Sequence, residues 1–272
     1  MTGHIARIAC AAATGFALWS GAAASAAAQD TARDDPWPQL ANQVFNGRPL
    51  ADGAGLIAIE MPARAEDAAI VPVTVRATLP PDDPRRVNAI TIVIDENPAP
   101  VAATFNIGAD AVVSSISTRV RVNSYTNVHA VAELSDGKLY VVKTYVKAAG
   151  GCSAPATKNA EQAGLGQLRF RQFGKRVEAG NEVQIMIRHP NHSGLQMDQI
   201  SRLYTPAYFV ESVKIWQGDA LLLAVQGSIA ISEDPSIRFT FAPRGSKPFR
   251  VEITDTQNRV FKGAWPFQAS EM

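Results

Sequence analysis

Period-two alternation of apolar and polar residues recurs along this chain and limits, more than any other feature, what it can fold into. In "IVPVTVRATL", Val71, Val73, Val75, Ala77 and Leu79 point one way, and Pro72, Thr74, Arg76 and Thr78 the other. That is the signature of a half-buried strand. "SISTRVRVN" repeats it, with Ile116, Thr118, Val120 and Val122 opposite Ser117, Arg119 and Arg121. "VNAITIVID" is apolar on both faces and reads as a more fully buried strand. "VHAVAELSDGKLYVVKTYV" gives two strands around Ser135-Asp136-Gly137, whose Asp-Gly pair favours a hairpin. Helical spacing stands out once, in "PWPQLANQVFNG", where Leu40, Val44 and Phe45 share a face and Gly47 closes the end.

The second half has the same style. "NEVQIMIRHP" sets Val183, Ile185 and Ile187 against Gln184, Met186 and Arg188. "FVESVKIWQGDALLLAVQG" reads as a hairpin about Gln217-Gly218-Asp219, and "SIRFTFAP" and "FRVEITDTQNRVFKGAW" supply three more strands. Short strands divided by turn residues predict an all-β protein of two sandwich domains with a short N-terminal helix. "AAGGCSAPATKNAEQAGLG" separates them, a linker in which "TKNAEQAGLGQL" has room for a turn or two of helix.

The N-terminus reads as a leader. His4 and Arg7 precede an apolar run from Ile8 to Leu18, and small residues lead to Ala24-Ser25-Ala26 and Ala26-Ala27-Ala28. The expected division is a signal peptide over 1–28, a first domain over 29–152, a linker over 153–166 and a second domain over 167–272. Export to the periplasm follows from the leader. No later run reaches the ~18 apolar residues of a spanning helix, so no membrane partner is expected. With 26 Lys+Arg against 25 Asp+Glu, the electrostatic case for nucleic acid is missing.

Two cysteines are present, and Cys10 leaves with the leader. Cys152 then has no partner for an internal disulfide or a Cys-x-x-Cys mechanism. Gly150 and Gly151 free the backbone beside it, and no apolar periodic run surrounds it. The reading is an exposed thiol, with Lys147 and Lys158 near in sequence. Seven extended residues from Tyr145 to Cys152 span roughly 20 Å, enough to enter another protein's cleft. His189 and His192, together with Cys152, form one candidate metal set. His129, His189 or His192 as a base for Cys152 forms a candidate nucleophilic site, although a glycine-flanked arm lacks the rigidity such a site needs.

The motif "GGC" closing a β domain resembles the carrier cysteine of SoxY, the sulfur-carrying subunit of periplasmic thiosulfate oxidation. "ENPAPVAATF", "STRVRV" and "AVAELSDGKLY" resemble the same region in order, while "IRHPNHSGLQMD" and "PSIRFTF" resemble SoxZ, its partner subunit. The order, Y-like then Z-like, is similar to fused SoxYZ-like carriers associated with quinoprotein dehydrogenases. The resemblance implies two immunoglobulin-like sandwiches paired internally as a heterodimer is. It also implies a non-enzymatic carrier without cofactor or metal, with sulfur held covalently on Cys152 at the end of an arm that includes Gly150 and Gly151. The partners implied are Sox-type sulfur-oxidation enzymes or a quinoprotein dehydrogenase system. A non-covalent adaptor for such a dehydrogenase is the alternative. The family's arm ends freely as Gly-Gly-Cys-Gly-Gly, whereas here Ser153-Ala154-Pro155 follow and tie it at both ends.

Overall fold

The computed structural model describes residues 35–155, 164–176, 180–242 and 245–268. The leader, and most of the segment given room for a helical turn, lie outside the described residues. In the first half, α1 (Trp37–Val44) is followed by β1 (Leu50–Asp52), β2 (Ile57–Glu60), β3 (Val71–Ala77) and β4 (Val87–Ile94). Then come β5 (Val101–Ile107), β6 (Val113–Val120), β7 (Thr126–Leu134) and β8 (Leu139–Val146). The second half contains β9 (Leu168–Arg176), β10 (Gly180–Ile187), β11 (Val210–Gln217) and β12 (Ala220–Gly227). It ends with β13 (Ser236–Phe241), β14 (Phe249–Asp255) and β15 (Val260–Trp265).

The alternation predicts the buried faces well. Val71, Val73 and Val75 are buried on β3 while Pro72 and Arg76 are exposed. Val183, Ile185 and Ile187 are buried on β10. The doubly apolar β4 is explained by α1: Ala41 and Phe45 pack with Val93, Val131 and Leu139 on the outer side of the sheet, while Ile90, Ile92 and Ile94 face the main core. Gly47, at φ +72°, closes the helix with its N–H on the Asn42 carbonyl.

The strands form two layers. One has the order β1-β8-β7-β4-β5-β12-β11-β14-β15, the other β2-β3-β6-β13-β10-β9. Each half supplies an immunoglobulin-like sandwich, and the halves join edge to edge in both layers. β5 pairs antiparallel with β12, Phe105 opposite Val225, and β6 pairs antiparallel with β13, Ile116 opposite Phe239. Residues of both halves share one hydrophobic cluster. Edge strands that would otherwise invite aggregation thereby cover one another. Among the described residues, no helix is long and apolar enough to cross a membrane.

Four strands escape the sequence reading. β1 has three residues and pairs parallel with β8, and β2 has four. β5 carries small residues, Ala102 and Ala103, where alternation would be sought. β9 does alternate, with Leu168 and Phe170 against Arg169 and Arg171, but begins directly after the linker.

Candidate functional site

β8 ends at Val146, and the chain continues across the face of the first half rather than leaving it. The Lys147 N–H donates to the Ala63 carbonyl, and the Ala65 N–H to that of Lys147. At Gly150 the backbone takes φ +79°, a left-handed value that favours glycine. Its N–H donates to the Asn123 carbonyl at 2.8 Å, and that of Gly151 to the Val122 carbonyl at 3.0 Å. A Cβ on Gly151 would stand 2.0 Å from the Ala68 carbonyl oxygen. Glycine is therefore demanded here by close packing of two backbones.

The thiol that the bare sequence predicts to be exposed is buried: Cys152 is 1% accessible. Gly150 and Ser153 on either side are exposed, so the chain dips inward for Gly151 and Cys152 alone. Small neighbours give slender backbone, which serves intimate docking as well as reach. Lys147 is exposed, and Lys158 lies outside the described residues.

The second half closes the site. Ser193 Oγ donates to the Cys152 carbonyl, and Gln196 Nε2 donates to the Ala154 carbonyl at 2.9 Å. Gln196 Oε1 in turn accepts from the Ser193 N–H and stands 3.1 Å from His192 Nδ1. Asn191, with φ +43°, uses its side chain to bond the Ile231 carbonyl and the Val210 N–H. The turn read as "RHPNHSG" thus braces the cysteine segment.

Beneath it lies Arg121, which alternation assigns to the solvent face and which is 1% accessible. Its Nη1 donates to the Gly151 carbonyl at 3.1 Å and its Nη2 to the Asn191 carbonyl at 3.3 Å. Among the described residues no carboxylate hydrogen-bonds it, and its Nε has no acceptor. Burial lowers the guanidinium's pKa, partly offset by Glu233, Cys152 and Asp67. Burial likewise raises that of the Cys152 thiol, and Arg121 pulls it back in part. The arrangement holds a protonated thiol beside a buried cation, whose charge offsets part of what burial costs a negative sulfur there.

The histidines take other roles. His189 Nδ1 accepts from the Asn191 N–H, and its Nε2 lies 3.6 Å from Asp255, which also accepts from Tyr208 OH at 2.7 Å. Burial lowers the pKa of His189. His129 is on β7 with Nδ1 3.0 Å from Asp95 and Trp37 stacked over its ring. Among the described residues no group of His, Cys, Asp and Glu is placed to hold a metal, so the His189–His192–Cys152 set is not assembled as one. Arg121, Ser193 and Gln196 were not legible as site residues; their signal is the crossing of the seam, which no local pattern encodes.

Two family matches cover the chain. "Sulfur oxidation protein SoxY" matches residues 41–152, ending on the cysteine itself, and "Sulphur oxidation protein SoxZ" matches residues 171–266. The chain belongs to the SoxY–SoxZ sulfur-carrier family. It joins both subunits in one polypeptide, and the family's members are carriers, not enzymes. Among solved structures, the sulfur carrier protein SoxY from Chlorobium limicola f thiosulfatophilum is similar, with 27% identity over 42% of this chain and 91% of that one, at a TM-score of 0.34. No curated protein matches the chain. In these terms the β5·β12 and β6·β13 ladders pair the SoxY domain with the SoxZ domain within one chain.

Proposed function

We propose that this SoxY–SoxZ fusion is a periplasmic carrier that holds sulfur intermediates covalently on Cys152 while partner enzymes act on them. The observation that carries the reading is the end of the SoxY match at Gly150-Gly151-Cys152, with that cysteine a free thiol in the structure. The leader read from residues 1–28 supports the compartment, and the SoxY and SoxZ matches support Sox-type enzymes as partners.

Loading the thiol with thiosulfate forms one S–S bond and releases one proton and two electrons. The electrons must pass to an oxidising partner, of haem or quinoprotein class. The chain's own part is to present sulfur and to shield it. In the docked arrangement, the bonds from Ser193, Gln196 and Arg121 to the cysteine segment each contribute about 1 kcal/mol net. A partner that binds the released segment better than the docked one shifts the balance by its differential affinity.

The burial of Cys152 favours a second reading, a non-covalent adaptor for a periplasmic quinoprotein dehydrogenase. Intact mass of protein purified without reductant separates the two. The carrier shows adducts of sulfur or thiosulfonate that vanish in Cys152→Ser. A uniformly unmodified thiol, with a Cys152→Ser strain that oxidises sulfur normally, leaves the adaptor.

A further inference from the structure

A second polar site lies beside the one that holds Cys152. In the six-stranded sheet β13 starts at Ser236, and the segment before it runs on between β6 and β10, with the Asp234 N–H on the His189 carbonyl and the Ile187 N–H on that of Pro235. Beside it is a cavity of about 410 Å³, lined by Arg119 from the SoxY domain and by Gln167, Arg169, Arg188, Glu233 and Asp234 from the second half.

Its position relative to the cysteine follows from strand geometry. Thr118, Val120 and Val122 point into the core, so Arg119 and Arg121 share the opposite face. Residues i and i+2 on a strand are about 6.5–7 Å apart. The pairing continues past the end of β6, with Ser232 N–H on the Arg119 carbonyl and Arg121 N–H on that of Ala230. The open cavity at Arg119 and the buried Arg121 beside the cysteine segment are therefore neighbours along one face. Glu233 links them, lining the cavity and acting on the Arg121 charge.

The cavity is built for an anion. Among the described residues three guanidiniums and two carboxylates line it, and Asp234 Oδ1 accepts from the His189 N–H. Arg119 is fixed by an Nη2 bond to the Asp234 carbonyl at 2.7 Å, while its buried Nε has no acceptor among the described residues. Arg169 stands exposed on the rim. Guanidinium forks offer paired donors that match the oxygens of an oxyanion and not a spherical halide.

We propose that this cavity is a subsite for a tetrahedral sulfur oxyanion, gripped by Arg119 and Arg169, with Arg119 one strand repeat from the Arg121 that bonds the cysteine segment. The choice of sulfur oxyanion rests on the carrier reading; the anion site itself rests on the cavity. Free thiosulfate and the sulfonate end of a cargo on Cys152 share the chemistry required.

Calorimetric titration of sodium thiosulfate into the full mature chain, reduced and at sodium chloride of matched ionic strength, tests it. Saturable binding is expected in both wild type and Cys152→Ser. Arg169→Gln, an exposed position, weakens it about tenfold, and Arg119→Gln at least as much. A second arm uses tetrathionate, whose central S–S bond breaks as a new one forms to Cys152, releasing thiosulfate and a proton. If the adduct then blocks thiosulfate binding, its sulfonate occupies the cavity; if binding persists, the site serves the free anion. No binding above the chloride control, or binding unchanged in both arginine variants, overturns the proposal. Absence of adducts on Cys152 from native protein would remove the carrier reading and leave thiosulfate binding in Cys152→Ser intact.

Discussion

Arg121 donates to the Gly151 carbonyl one residue before Cys152, and the cation and the thiol are each 1% accessible. A chain that buries a guanidinium with only carbonyl acceptors accepts a large desolvation cost. What the position offers in return is a positive charge beside the sulfur, which offsets part of what burial costs an anion there. The SoxY domain contributes Arg121, just past the end of β6, and the SoxZ domain the Asn191 carbonyl that steadies it, so this buried site exists only where the two domains meet.

Release of the docked segment should be governed by the SoxZ-side bonds. In Ser193→Ala/Gln196→Ala, iodoacetamide should alkylate Cys152 about fivefold or more faster than in wild type, as expected when one to two hydrogen bonds near 1 kcal/mol each are lost. Gly151→Ala should go further, because its Cβ collides with the Ala68 carbonyl and expels the segment. Equal alkylation rates in all three proteins would mean that the thiol reacts without undocking.

Alkaline pH should loosen the wild type more than Cys152→Ser. Burial raises the thiol's pKa in the folded chain, with Arg121 offsetting part of the rise. Above the ordinary thiol value of ~8.5, the unfolded chain gives up a proton that the folded chain keeps. The unfolded state then binds fewer protons, and stability falls as pH rises. Urea midpoints at pH 7.5 and pH 10 should show wild type losing ground to Cys152→Ser over that interval. A constant difference between them would show a thiol that titrates alike in both states.

At the acid end His189 should dominate the same region. Burial lowers its pKa, while Asp255 opposes the fall; Tyr208, pushed up to about 12 by burial and its bond to Asp255, stays neutral. Below ~6.5 the unfolded histidine takes up a proton that the folded one refuses. Stability is thus lost as pH falls from about 6.5 toward the folded pKa. His189→Gln should flatten the urea midpoint between pH 7 and pH 5, even if it lowers the midpoint at both.

What the sequence discloses and what it hides differ by range of interaction. Alternation in β3, β6 and β10 fixed which residues face the core, and Asp-Gly at 136–137 and Gly218-Asp219 marked hairpins that the structure contains. These are local patterns. Arg121 obeys the same alternation as Arg119, yet it is buried because a segment thirty residues later and a turn seventy residues later close over it. Gly150 and Gly151 are ambiguous for a related reason: missing side chains permit both reach and tight docking. Only the Ala68 and Val122 carbonyls, brought there by the fold, decide between them.

The edge-to-edge joining makes a final expectation for stability. Each half alone would gain two further open edges, at β5 and β6 or at β12 and β13. Phe105 and Phe239 sit on the joining strands, fully buried, in a cluster that contains residues of both halves. The domains should therefore melt together, in one calorimetric transition whose van't Hoff and calorimetric enthalpies agree. Phe239→Ala should cost about 3–5 kcal/mol and shift that transition as a whole. Two resolved transitions, with only the SoxZ one moved by Phe239→Ala, would show instead that each domain keeps a core sufficient for itself and that the shared ladders add pairing without cooperativity.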